Sequence, residues 1–168
     1  MAVGPDWCPS ERDWCPSERD WCPSERNWCP SERDWCPIAF TAQFSVDPAR
    51  VGQKATLKLD HFVTNIGGGY NPLTGIFTAP VSGVYAFFLT IMSDNTKWIE
   101  VTLINDGVHL DMAHADGTPG QSFLDQGSLL VTVHLNQGSK VWNQQQGGAS
   151  SLRGGAWTVF SGFLIRAD

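Results

Sequence analysis

The segment from Asp6 to Pro37 is one heptapeptide, Asp-Trp-Cys-Pro-Ser-Glu-Arg, written almost five times, and the proline in every copy decides most of what it can become. A period of seven suggests a coiled coil, which needs apolar residues three or four apart. Each copy instead offers one adjacent Trp-Cys pair followed by mostly polar residues, and each proline would cost roughly 3 kcal/mol in a helix interior. Collagen needs glycine at every third position, and the stretch has none after Gly4. A turn or an extended, polyproline-like course fits the Cys-Pro-Ser-Glu order better. Extended, successive cysteines among Cys8, Cys15, Cys22, Cys29 and Cys36 stand about 22 Å apart, at roughly 3.1 Å per residue. A disulfide needs α-carbons roughly 4.4–6.8 Å apart, so bridges would run between chains unless the segment folds back. Structural zinc sites favour closer cysteine pairs. Copies that differ only by Asn27 in place of Asp are also what tandem duplication leaves, so a dispensable tail without a folded role stands beside the cross-linking reading.

Globular folding therefore rests on residues 38–168. All five cysteines and five of the eight tryptophans lie in the repeat. That shift places a boundary at Pro37, with a flexible or extended tail over 1–37 and a globular head over 38–168. The tail carries eight acids against four arginines, and the head nine acids against seven bases, a head charge of −2. No basic patch points to nucleic acid. The longest apolar run, Val84 to Met92, spans nine residues and includes a threonine, so membrane insertion is not expected. The start, Met-Ala-Val-Gly-Pro-Asp-Trp, does not read as a secretory signal, so the chain is expected to be mature, truncated or exported by another route.

Within the head, alternation of period two recurs and helical period does not. Ile99, Val101 and Leu103 point one way and Glu100 and Thr102 the other; Leu129, Val131, Val133 and Leu135 alternate with Thr132 and His134. Trp157, Val159, Ser161, Phe163 and Ile165 form a third row, and Val84–Met92 is apolar on both faces, as a central strand would be. Glycine, proline and asparagine clusters separate these runs, and Asn105-Asp106-Gly107 predicts a hairpin joining 98–105 to 107–113. Eight to ten short strands with no helix indicate an antiparallel sandwich or jelly roll.

The stretch from Leu59 to Leu89 resembles the signature of the complement C1q globular-head family. Asn65, Tyr70, Phe77, Gly83, Tyr85 and Phe87 fall on its positions, with Leu59 and Leu89 where aromatics are usual. Ala39–Ser45, Val141-Trp142 and Phe160–Ile165, including Gly162 and Phe163, extend the likeness over 38–167. Physically these residues read as core packing. The resemblance implies an all-β, ten-strand antiparallel jelly roll of the tumour-necrosis-factor-like type, a homotrimer and an extracellular setting. In some members acids before the Val-Trp pair take part in calcium binding near the trimer apex. Here Gly138-Ser139-Lys140 replaces the usual Gly-Asp, which sets the sequence against calcium, and no cofactor is expected.

No enzymatic motif is present: the four histidines (His61, His109, His114 and His134) are scattered, without metal-ligand spacing, and no nucleophile elbow or phosphate loop occurs. Ligand recognition needs an exposed aromatic for stacking and fixed polar groups on loops. Asp94, Asn95, Lys97 and Trp98 supply one such loop, Asn143–Trp157 with Arg153 a second, and His114–Gly117 a third. Arg153 or Lys97 is positioned in sequence to meet a carboxylate. Three functions follow: a soluble, oligomeric, lectin-like recognition protein of innate immunity binding microbial polysaccharide or lipopolysaccharide; a matrix protein cross-linked through its cysteines; or a cytokine-like receptor ligand. A trimer would bring fifteen tail thiols, an odd number, so full oxidation would join trimers into higher oligomers.

Overall fold

Strands form where the sequence alternates. The computed structural model describes residues 37–117 and 124–168. One sheet comprises β1 (Ala39–Gln43), β3 (His61–Ile66), β6 (Gly83–Met92), β9 (Gln126–Leu135) and β12 (Val159–Ala167), in the order β3-β1-β12-β6-β9. The other comprises β4 (Tyr70–Asn71), β5 (Ile76–Thr78), β7 (Trp98–Asn105), β8 (Val108–Asp116) and β10 (Lys140–Gly148), in the order β4-β5-β10-β7-β8. All these pairings are antiparallel. Two further strands of two residues, β2 (Ala49–Arg50) and β11 (Ser151–Leu152), pair with each other. The only helical element among the described residues is a 3-10 turn at Gly155–Trp157. This is the ten-strand jelly roll expected, with a short ladder added.

The β7–β8 hairpin turns on Asp106 and Gly107, both at positive φ (47° and 88°), which is the backbone a two-residue turn needs to match strand twist. β6 buries Tyr85, Phe87, Leu89 and Ile91 completely on its inner face, while Phe88 on the outer face is exposed. Between the sheets an aromatic cluster fills the core. Phe40 stacks on Tyr70 at 4.8 Å and on Phe77 at 5.1 Å, and meets Phe160 edge-on at 4.9 Å; Phe77 meets Phe87 edge-on at 5.4 Å. Each such buried phenylalanine contributes about 1.5–3 kcal/mol relative to exposure. A Cβ on Gly162 would lie 2.6 Å from both Phe40 and Phe87, so this position must be glycine for the rings to close over it.

The other signature residues serve the same core. Tyr70 donates its hydroxyl to the Leu59 carbonyl at 3.0 Å, and burial pushes its ionisation well above the ordinary phenol value. Asn65 clamps the glycine loop by donating Nδ2 to the Tyr70 carbonyl at 2.8 Å and accepting the Tyr70 N–H at 3.2 Å. Tyr85 donates to the Val81 carbonyl at 2.8 Å. Leu59 and Leu89, standing where aromatics are usual, are completely buried.

Phe163 corrects the sequence reading. It was expected in the core, yet its side chain is 51% exposed. On β12 the inward row is Phe160, Gly162 and Leu164, whereas Phe163 pairs with Ala39 and Ala86 on the outer face of the sheet. Of the row expected on one strand, Val159, Ser161, Phe163 and Ile165 point outward, and Trp157 lies in the 3-10 turn before β12. Phe88, paired with Leu130, shares that face, and Ile66, beside Ala39, extends it.

Short connections define two poles. Pro37, the end of β12 and the turn at 136–139 lie at one; the end of β6, the starts of β7, β9 and β12, and the end of β10 lie at the other. Pro37 thus lies at the pole opposite the 93–97 loop.

Candidate functional site

At the far pole Asp94–Lys97 forms a tight turn, closed by the Lys97 N–H donating to the Asp94 carbonyl at 3.1 Å, with Thr96 at φ 61°. The turn folds Lys97 back on its own start. Its ammonium donates to Asp94 Oδ2 at 2.9 Å and to Ser151 Oγ at 3.0 Å. Ser151 in turn donates to Asp94 Oδ2 at 3.1 Å, and the Asn95 N–H reaches Oδ1 at 3.1 Å. The Lys97 hydrogen bond, helped by Ser151, holds the Asp94 carboxyl below its usual value, so Asp94 is a carboxylate at neutral pH. One Lys97 N–H remains uncommitted by these contacts.

Trp98 opens β7 and is 44% exposed. Its ring stacks on His114 of β8, with centroids 5.9 Å apart at 27°, and His114 Nδ1 lies 3.3 Å from Glu100 Oε1. β10 runs close alongside: a Cβ on Gly148 would meet the Trp98 carbonyl oxygen at 2.2 Å and one atom of its ring at 2.8 Å. The indole is therefore a braced platform.

Two shallow depressions adjoin along Lys97, Ser150 and Ser151. One, of about 320 Å³, is lined by Thr96, Lys97, Trp98, Ala149, Ser150 and Ser151. The second, also about 320 Å³, adds Pro48, Arg50 and Asp94. Each is at the low end of the roughly 300–1,000 Å³ usual for ligand sites.

Asp94, Lys97 and Trp98 thus converge, and Asn95 contributes through its backbone. Arg153 does not join them. Its guanidinium is committed to Asp47, with Nε 2.8 Å from Oδ1 and Nη2 on Oδ2, while the Gly154 N–H donates to Asp47 Oδ1 at 3.0 Å. That pair braces the loop before β2 and turns the Nε and Nη2 side of Arg153, expected to meet a ligand carboxylate, toward Asp47 instead. Arg50, not Arg153, lines the second depression. The sequence reading missed Arg50, Ser150 and Ser151, because their proximity depends on the β2–β11 ladder between residues a hundred positions apart. His114, singled out as a third loop, merges with the first as the backing of Trp98.

The Gly138-Ser139-Lys140 turn sits at the opposite pole, where the Lys140 N–H donates to Asp106 Oδ1 at 2.8 Å. With that single carboxylate satisfied by backbone, the turn does not fit calcium. Among the described residues no three His, Cys, Asp or Glu side chains gather to hold a metal, and no helix is long and apolar enough to cross a membrane. Cys8, Cys15, Cys22, Cys29 and Cys36 lie outside the described residues.

Comparison with known proteins agrees with the fold. The chain is 33% identical over 103 residues to complement C1q tumor necrosis factor-related protein 3 of Mus musculus, covering 61% of this chain and 41% of that protein. It is 32% identical over 122 residues to complement C1q tumor necrosis factor-related protein 2 of Homo sapiens, covering 69% of this chain and 41% of that one. The matched region thus spans about two fifths of these relatives' length. Among solved structures, the globular domain of zebrafish complement 1qA superposes with a TM-score of 0.64 at 21% identity over 78% of this chain and 99% of that one. The Eiger tumour necrosis factor of S. frugiperda gives a TM-score of 0.64 at 11% identity, covering 80% and 96%. Residues 39–165 match the C1q domain, and the chain belongs to the C1q domain family.

Proposed function

We propose that the chain is a soluble, oligomeric recognition protein acting outside the cell, binding microbial surface glycans or lipopolysaccharide by multivalent contact. Members of the family are non-enzymatic signalling or recognition proteins, and its domains typically form trimers. The observation that carries the reading is the Trp98 depression: a braced, partly exposed indole beside fixed hydroxyl and ammonium donors, at the pole away from Pro37. An aromatic face takes the C–H face of a sugar while Ser150, Ser151 and Lys97 meet its hydroxyls. Several heads linked in one oligomer would engage such sites together, and linkage would raise weak single-site affinity.

A glycan array and a bacterial pull-down on the full chain test this. Trp98→Ala is expected to lower polysaccharide binding at least about tenfold, a loss of about 1.4 kcal/mol, with the fold intact. Unchanged binding by Trp98→Ala, or no binding by the parent chain, would overturn the assignment. Absence of binding together with disulfide-linked polymers would favour the matrix reading.

A further inference from the structure

We infer that the paired depressions select a carboxylate-bearing sugar, its acid on Arg50 and Lys97 and its ring on Trp98. This rests on the glycan-binding reading above and adds the chemical class of the ligand. Arg50 is exposed on β2, directly opposite Ser151 of β11, so a hydrogen-bonded ladder fixes its backbone beside Lys97. Its guanidinium forms no ion pair or hydrogen bond among the described residues, in contrast to Arg153, whose Nε and Nη2 both bind Asp47. The same depression holds an ammonium whose orientation is set by Asp94 and Ser151.

The acid in the site does not cancel these cations. Asp94 Oδ2 is occupied by Lys97 and Ser151, and Oδ1 takes the Asn95 N–H. Asp94 thus aims Lys97 and offsets one charge, leaving a net charge of about +1 across Arg50, Lys97 and Asp94. The Arg153–Asp47 pair beside it is neutral. A planar guanidinium fork matches a planar carboxylate through two parallel hydrogen bonds, which a neutral hydroxyl does not exploit. The adjoining depression, with Trp98 at its wall, shares Lys97, Ser150 and Ser151 with the cationic one. A pyranose bearing a carboxylate can therefore place its acid in one and its ring against the indole of the other.

The test uses the full chain against an immobilised uronic-acid polymer, the same polymer after carboxyl reduction, and dextran sulfate. Carboxyl reduction is expected to weaken binding at least tenfold. Arg50→Gln should give the same loss on the native polymer and no further loss on the reduced one, whereas Trp98→Ala should weaken both. Arg50→Gln should melt with the parent, since its side chain has no hydrogen-bond or ion-pair partner among the described residues. Equal binding of native and reduced polymers would overturn the carboxylate assignment while leaving glycan binding standing. Equal, Arg50-dependent binding of dextran sulfate would overturn it in favour of a general anion site. No binding to any polymer would end both readings.

Discussion

Arg153 and Arg50 carry the same charge, and only their neighbours decide which is available. Asp47, 106 positions away in sequence, accepts both Nε and Nη2 of Arg153. The Arg153 hydrogen bond, more than any other contact, holds the Asp47 carboxyl below its ordinary value of 3.8. A carboxyl with a lowered folded value stabilises the native state in full above its unfolded value, and that contribution disappears as the pH falls through the folded one. Asp47→Asn is therefore expected to melt a few degrees below the parent at pH 7, the scale of a solvent-exposed pair. The gap should close as pH falls below 4. Thermal melts between pH 3 and 7 measure it, and a gap that stayed constant over that range would show that the carboxylate charge is not its source.

At the scale of the element, β9 places adjacent leucines on opposite faces. Leu129 is 5% exposed, opposite Leu89 on β6, whereas Leu130 is 66% exposed, opposite Phe88. Leu129→Ala is expected to lower stability by about 2–5 kcal/mol through the cavity it leaves. Leu130→Glu should leave the melting temperature of the head nearly unchanged and convert the proposed trimer to monomer, read by light scattering; a Leu130→Glu chain that remained trimeric would place the interface elsewhere. The same face explains what the sequence showed and withheld. Ile99, Val101 and Leu103 revealed their strand because only one of their faces is fully apolar, and Asp106-Gly107 revealed the hairpin because its turn demands positive φ at both residues. β12 did not reveal its inner face, since Phe160 and Leu164 on one side and Val159, Phe163 and Ile165 on the other are equally apolar. Periodicity reports burial of every kind, including burial against another chain, and cannot separate the two. Trp98 and Lys97 were legible as an aromatic and a cation in one loop, while Arg50 was not, because only the β2–β11 ladder brings it there.

For the whole molecule, cross-linking through the heptapeptide tail would set how many heads act together. Each chain contributes five cysteines, so a trimer would hold fifteen, and at least one thiol per trimer would remain to find a partner in another trimer. In an oxidising setting this makes covalent assembly beyond the trimer the expected end state. A chain with all five cysteines changed to serine should run as a monomer in denaturing, non-reducing electrophoresis, where the parent gives a ladder of multiples that collapses on reduction. Linking weak sites raises avidity by about 10²–10⁴ without any new contact. The serine chain should therefore keep its affinity for a single uronic-acid oligosaccharide and lose at least tenfold on a dense uronic-acid surface. Identical mobility of the two chains without reductant would dismiss the cross-linking role and leave the repeat as a dispensable product of duplication. If the ladder forms but surface avidity does not change, the linked heads do not face the surface together, and the multivalent part of the proposed function fails while the binding site stands.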